Sequence, residues 1–212
     1  AAAVCGADRA ALENLSDNNL LVRAPGRMHM LEIVHEFARA QLDTEERAAV
    51  QQRFVHYFAE EAAHGLDDMT VEYANFRAAL VSAIDAQAAR TALLLCRKLS
   101  WFWEANGYLA EGLALARAAL SVPGVVEPEL RIDTLERVSP LAWKGHQFGE
   151  AVQLAGKAAE LARANSQPGK LATALNQLGR ILLEQGEYER AEAVLQEGIG
   201  VARLNQHLFN PG

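Results

Sequence analysis

A spacing of small and large residues constrains this chain more than any other feature. Leu178-Gly179, Gly186, Tyr188, Ala191 and Leu195 put a Gly seven residues after the Leu-Gly pair, an aromatic two later, an Ala three beyond that and a Leu four further on. Small residues where two antiparallel helices cross let the backbones approach, while large ones fill the gap to the next pair. The preceding stretch repeats the pattern loosely with Leu135, Val138, Ala142, Phe148, Ala151 and Ala155. A degenerate earlier copy uses Cys96, Leu99, Trp103, Gly107, Leu109, Gly112 and Ala116. The position of Ala191 recurs at Ala151 and Gly112, spacings of 40 and 39 residues. Units of this kind cannot bury their apolar faces alone and are stabilised by stacking.

The pattern is the tetratricopeptide signature, whose usual period is about 34 residues. The longer spacing predicts extended helices or connections, with loops at Pro123-Gly124 and Ser166 to Gly169 absorbing the difference. Residues 91–212 are thus expected to hold about three tandem helical hairpins in a short right-handed superhelix. His207 to Gly212 reads as a connection to a further hairpin, so the chain is expected to be a piece of something longer.

The rest of the chain is also rich in helix formers, with one interruption. Asp8 to Asp17 predict a short helix after the helix-breaking Gly6, with Leu12 and Leu15 on one face. Leu20 to Arg23, Ala24 to Arg27 and Met28 to Met30 then read as strand, tight turn and strand. A helix over 31–41 carries Leu31, Val34, Phe37 and Ala38 on one stripe. Helix–hairpin–helix is the order of the second half of a winged-helix domain, and it is expected over residues 1–42. Asp43-Thr44 followed by Glu45 and Glu46 starts another helix, with Val50, Phe54, Tyr57, Phe58 and Ala62 as its apolar stripe and Gly65 as its end. A further helix from Val71 to Ala86 repeats Tyr73, Phe76, Leu80 and Ile84. Residues 43–90 are expected to be a helical linker. The predicted fold class is therefore all-α, a tetratricopeptide-like α-α superhelix preceded by a partial winged helix with a short β-hairpin.

Three segments carry a wider likeness: DNNLLVRAPGRMHMLEIVHEFARAQL from Asp17, EYANFRAAL from Glu72, and LSWFWEANGYLAEGLALARAAL from Leu99. Together they resemble the region after the nucleotide-binding domain in bacterial signal-transduction (STAND-type) ATPases that act as LuxR-type transcriptional regulators. The resemblance implies an ATPase core elsewhere in the polypeptide, then a winged helix, a helical link and sensor repeats. A phosphate-cradling GxxxxGK[ST] loop is missing from this sequence, as is a terminal DNA-binding helix-turn-helix. Any ATPase activity is expected outside this chain, and no catalytic residues, metal or cofactor are assigned within it.

Composition narrows the partners. Twenty Lys+Arg against 27 Asp+Glu give a net charge of −7, which opposes general attraction to nucleic-acid phosphates. Cys5 and Cys96 are too few and too distant for a disulfide framework or a metal knuckle, and read as reduced thiols. No apolar run reaches the length of a membrane span, and Ala1 to Gly6 lack the features of a secretory leader, so a soluble, cytoplasmic chain is expected.

His35-Glu36-Phe37-Ala38-Arg39 begins like a zinc HExxH motif, but Arg39 replaces the second histidine. His56 and His64 are expected to be structural or solvated, and Glu60-Glu61 and Asp67-Asp68 to be surface charge. Arg23 and Arg27 flank the wing-like hairpin and are candidates for a phosphate contact, although direct contact with DNA is not expected.

In a hairpin stack the first helices line a concave groove. That face carries Arg97, Trp101 and Glu104, then Glu136, Trp143 and Lys144, then Asn176, Arg180 and Glu184. Tryptophans interleaved with charges make it the best candidate site for a small inducer, a peptide or a protein partner. The alternative is that both indoles pack against the next helix; Trp103 is expected in the core. Two functions fit: the sensor and autoregulatory arm of a regulator, or a stand-alone tetratricopeptide scaffold. The helix–hairpin–helix segment favours the first.

Overall fold

A computed structural model describes residues 2–24, 27–64 and 69–209, with Ala2, Ala3, Arg27, Ala63, His64 and residues 206–209 described by backbone alone. The described residues fold into helices with one short two-stranded antiparallel sheet, an all-α class. No described helix is long and apolar enough to cross a membrane. Two compact units divide the chain, Ala1–Glu61 and Ala62–Gly212.

The first unit begins with α1 (Ala2–Cys5) and α2 (Arg9–Asp17), separated by Gly6 at φ +70°. Asp8 caps α2, its Oδ1 accepting from the Ala11 N–H at 2.7 Å. Strands β1 (Leu21–Ala24) and β2 (Arg27–Met30) pair in the register Leu21 with Met30 through Ala24 with Arg27. The pairing extends one residue further into the connection than expected, and the Pro25-Gly26 turn lies outside the described residues. Helix α3 (Glu32–Gln41) follows. On its predicted stripe Val34 and Ala38 are half-buried, whereas Leu31 and Phe37 are exposed. Helix α4 (Thr44–His64) opens on a reciprocal capping box: the Glu46 N–H donates to Asp43 Oδ1 at 2.8 Å and the Asp43 N–H to Glu46 Oε2 at 3.2 Å. Gly65 and Asp67-Asp68 lie outside the described residues.

The second unit contains α5 (Met69–Asp85), α6 (Ala89–Asn106), α7 (Leu109–Ser121), α8 (Pro128–Lys144), α9 (Phe148–Ala164), α10 (Pro168–Glu184) and α11 (Tyr188–Phe209). Helix α5 packs on α6 and α7; then α6 pairs with α7, α8 with α9 and α10 with α11. The first members α6, α8 and α10 pack in a row. His207 to Phe209, expected in a connection, continue α11.

In the later copies the helices take up the long repeat, whereas in the first the six-residue connection 122–127, which holds the expected Pro123-Gly124 loop, does so. Each of α8, α9 and α10 has 17 residues, and the turns that follow them, 145–147, 165–167 and 185–187, have three residues each. Pro168 and Gly169, expected in a loop, instead start α10, where a proline loses no hydrogen bond. Within the second unit one closure recurs five times among the described residues: the N–H groups of Ala88, Tyr108, Gln147, Gln167 and Glu187 donate to the carbonyls of Ala83, Trp103, Ala142, Ala162 and Leu182 at 2.9–3.0 Å. The preceding residues, Gln87, Gly107, His146, Ser166 and Gly186, all have positive φ, as this Schellman turn requires.

Inside the pairs, Gly179 and Gly112 of the sequence pattern sit where no side chain fits. A Cβ on Gly179 would lie 2.5 Å from Leu195, and one on Gly112 would lie 2.6 Å from the Trp103 ring. Ala191, Ala151, Ala116 and Ala142 are fully buried, with Cys96, Leu99 and Trp103. On the other side of the row, Arg77 pairs with Glu111, Arg117 with Glu150 and Arg163 with Glu197, joining α5, α7, α9 and α11 in sequence.

Candidate functional site: a groove across the first helices

The row of α6, α8 and α10 carries a groove with a cavity of about 590 Å³, lined by Glu104 from the last turn of α6, by Glu136, Arg137, Pro140, Trp143 and Lys144 from α8, and by Thr173, Asn176, Gln177, Arg180, Ile181 and Glu184 from α10. Of the residues predicted for the groove, Glu104, Glu136, Trp143, Lys144, Asn176, Arg180 and Glu184 meet here. Arg97 and Trp101 do not line it.

Arg97 is engaged in holding the row together. Its NH1 donates to Asp133 Oδ2 at 3.2 Å, and the same carboxylate pairs with Lys170. One side chain on α8 therefore ties α6 to α10. Trp101 is 61% exposed, so the alternative in which both indoles pack against the next helix does not describe it; Trp143 is half-buried. Trp103 is fully buried, as expected, and its Nε1 donates to the Tyr73 hydroxyl at 3.1 Å. Tyr73 in turn donates to Glu111 at 3.1 Å and stacks on Phe102.

The charges around the cavity are unequal. Lys144 Nζ lies 2.8 Å from Glu104 Oε1, so that pair is mutually satisfied. Arg137, Arg180 and Glu184 are exposed. Glu136 is half-buried, its Oε1 is closed off from solvent without a hydrogen-bond partner, and burial pushes its carboxyl above the usual range. Nearby Lys170 acts in the opposite direction, Asp133 in the same one.

Sequence reasoning missed the contribution of Pro140 and Gln177. A proline inside α8 has no N–H to give the carbonyl four residues back, which is that of Glu136. Gln177 Nε2 on α10 donates to that carbonyl at 3.1 Å. The helix-interior proline was the available signal, since it creates an acceptor that a neighbouring helix must satisfy.

The other candidate residues are not among those that line the groove. Arg23 donates from Nε to Ser16 Oγ at 2.9 Å, which turns it back onto α2. The Arg27 backbone closes the sheet register, and its side chain lies outside the described residues. His56 Nε2 is 3.2 Å from Glu60 Oε1, both exposed, while the His64 side chain is outside the described residues. Among the described residues, no three of His, Cys, Asp and Glu come together as a metal-binding group. Cys5 is exposed; the buried Cys96 thiol is pushed up to about 12 by desolvation. In comparisons with known proteins, no family model and no curated protein matches this chain.

Proposed function

We propose that this chain is the sensor and protein-interaction arm of a bacterial transcriptional regulator whose ATPase core is a separate part of the polypeptide. On this reading residues 91–212 are a tetratricopeptide-like superhelix, and its inner groove takes a small inducer or a partner protein. The observation that carries the reading is the cavity of about 590 Å³ lined from three successive first helices by an indole and charges of both signs. Its size falls in the range of small-molecule sites, about 300–1,000 Å³. The identical turns that close successive helices support a repeat architecture, because each unit then presents the same face to its neighbour.

A site that spans consecutive helix pairs also suits a sensor. Each pair is held mainly by its nearest neighbours, so an occupant touching α6, α8 and α10 together favours one spacing of the pairs over others. That differential affinity is what moves a regulator between states. The α2–β1–β2–α3 order supports assigning residues 1–42 to the later part of a winged helix, and exposed Leu31, Ile33 and Phe37 are the face such a half-domain would present.

Thermal-shift screening of the wild type with Trp143→Ala and Trp101→Ala tests the groove. A groove ligand raises the melting temperature of the wild type and of Trp101→Ala, and raises that of Trp143→Ala much less. Hits that stabilise all three proteins equally bind elsewhere and remove the basis of the proposal.

A further inference from the structure

The groove's chemistry narrows what it can hold. Glu136 is the one cavity-lining carboxylate among the described residues that is both shielded from water and left with an oxygen lacking a donor. None of the neighbouring cations supplies one: Lys144 is engaged by Glu104, Lys170 by Asp133 with Glu129 3.8 Å away, and Arg137 and Arg180, which line the same cavity, make no bond to that oxygen. The Glu136 backbone carbonyl is already served by Gln177, so the carboxyl group alone remains to be matched. A shielded acceptor without a partner is costly, and the cost is recovered when a donor arrives.

Trp143 stands seven residues along α8 from Glu136, on the same face, and lines the same cavity. A carboxylate that needs a donor and an indole near it recognise complementary parts of one group: the carboxylate takes N–H bonds and positive charge, and the indole covers the stem or the cation's face. An anion would meet the Glu136 charge, whereas a cation adds to the partial compensation that Lys170 and Arg137 already give it. Resting on the groove reading above, we infer that the groove binds a cationic nitrogen group, an ammonium or guanidinium, which Glu136 accepts and Trp143 covers.

Such a group arrives either on a free amine or on a Lys or Arg side chain of a peptide. Calorimetric titration of the whole chain separates the two. The probes are agmatine, acetyl-arginine methylamide, its neutral citrulline counterpart, acetyl-glutamate methylamide, and an Arg-centred hexapeptide. The arginine probe is expected to bind at least about tenfold more tightly than citrulline. Glu136→Gln should abolish that preference while keeping a melting temperature at or above that of the wild type, which excludes misfolding as the cause. Trp143→Ala should weaken both probes. Agmatine binding as well as the hexapeptide assigns a free amine; a hexapeptide at least about tenfold tighter assigns a peptide.

Equal affinity for arginine and citrulline, an unchanged arginine affinity in Glu136→Gln, or no cation binding up to about 10 mM overturns the inference. If the glutamate or citrulline probe then binds in a Trp143-dependent manner, the groove reading stands and only the cation assignment falls. If no probe shows Trp143-dependent binding, the small-ligand form of the groove reading falls with it.

Discussion

Replacing Gly112 with alanine tests whether close helix contact within each pair holds this fold together. The new Cβ would stand 2.6 Å from Trp103 Cγ and Cδ2 and 2.8 Å from Cε3. Carbon atoms rest at about 3.5–4.0 Å, so indole and backbone must separate by roughly 1 Å. The ring has little room to give: Trp103 is fully buried, and its Nε1 is held by Tyr73. Overpacking of this kind costs about 1–3 kcal/mol, against which alanine regains up to about 1 kcal/mol of helix propensity over glycine. The net expectation is a loss of about 1–2 kcal/mol. Gly156 in α9 is the control, because a Cβ there meets nothing within 4 Å, and Gly156→Ala should stabilise by up to about 1 kcal/mol. Urea unfolding of both variants, with unchanged m-values, gives the comparison. At about 2–4 °C per kcal/mol, the two melting temperatures should move in opposite directions. Introducing Gly112→Ala into Trp103→Phe should cost less than in the wild type, the coupling expected of residues in contact. A Gly112→Ala protein as stable as Gly156→Ala would refute the reasoning.

Ser166 occupies a turn at φ +52°, so Ser166→Gly should stabilise by about 0.5–1 kcal/mol in thermal unfolding despite the added freedom of the unfolded chain. Cys5 should react with a thiol reagent at once, while buried Cys96, with its thiol pushed up to about 12, should react only at the rate at which its unit opens. Arg77 first, and the Tyr73 hydroxyl as well, hold the Glu111 carboxyl below the usual range. A lowered value contributes stability above the ordinary carboxylate pKa, and that contribution is lost as pH falls through the folded value. Glu111→Gln should therefore cost up to about 1 kcal/mol at neutral pH, modest because the pair is partly exposed, and the gap to wild type should close on acidification. Glu136, whose carboxyl is pushed upward, acts with the opposite sign: its ionisation opposes folding above the raised value, so Glu136→Gln should gain stability at neutral pH.

Elements set by local chemistry were legible in the residues themselves. Asp43 with Glu46 announced the start of α4, and apolar periodicity placed Phe76, Leu80 and Trp103 in the core, where they are fully buried. The Leu-Gly pair marked a close approach, because nothing larger than hydrogen fits at Gly179 beside Leu195, and Gly186 marked a turn at φ +77°. The turns were harder to read. Gln87, His146 and Ser166 adopt the left-handed conformation that Gly107 and Gly186 advertise, so three of these five turns carry no glycine signal, and Pro168-Gly169 looked like loop chemistry although proline begins α10.

For the groove, helical spacing correctly put Arg97, Trp101 and Glu104 at four- and three-residue steps on α6, but the cavity reaches only the last turn of that helix. A single helix cannot reveal where its neighbours cross it. Nor does spacing show which charges are spent in pairs: Arg97 binds Asp133, whereas Glu136 is left with an unmatched oxygen only because of how α8 and α10 come together. Gln177 enters the site for the same reason, through a carbonyl that Pro140 frees on the adjacent helix.

The most direct measurement of the central claim is the proton–nitrogen spectrum of the chain during a ligand or partner screen, because the indole N–H signals of Trp143 and Trp101 report the cavity and the exposed surface outside it. Hits are predicted to shift the Trp143 indole and the Asn176 and Gln177 side-chain amides while leaving Trp101 unmoved. Hits that move Trp101 or the α7, α9 and α11 side, with Trp143 silent, would contradict a recognition groove on α6, α8 and α10.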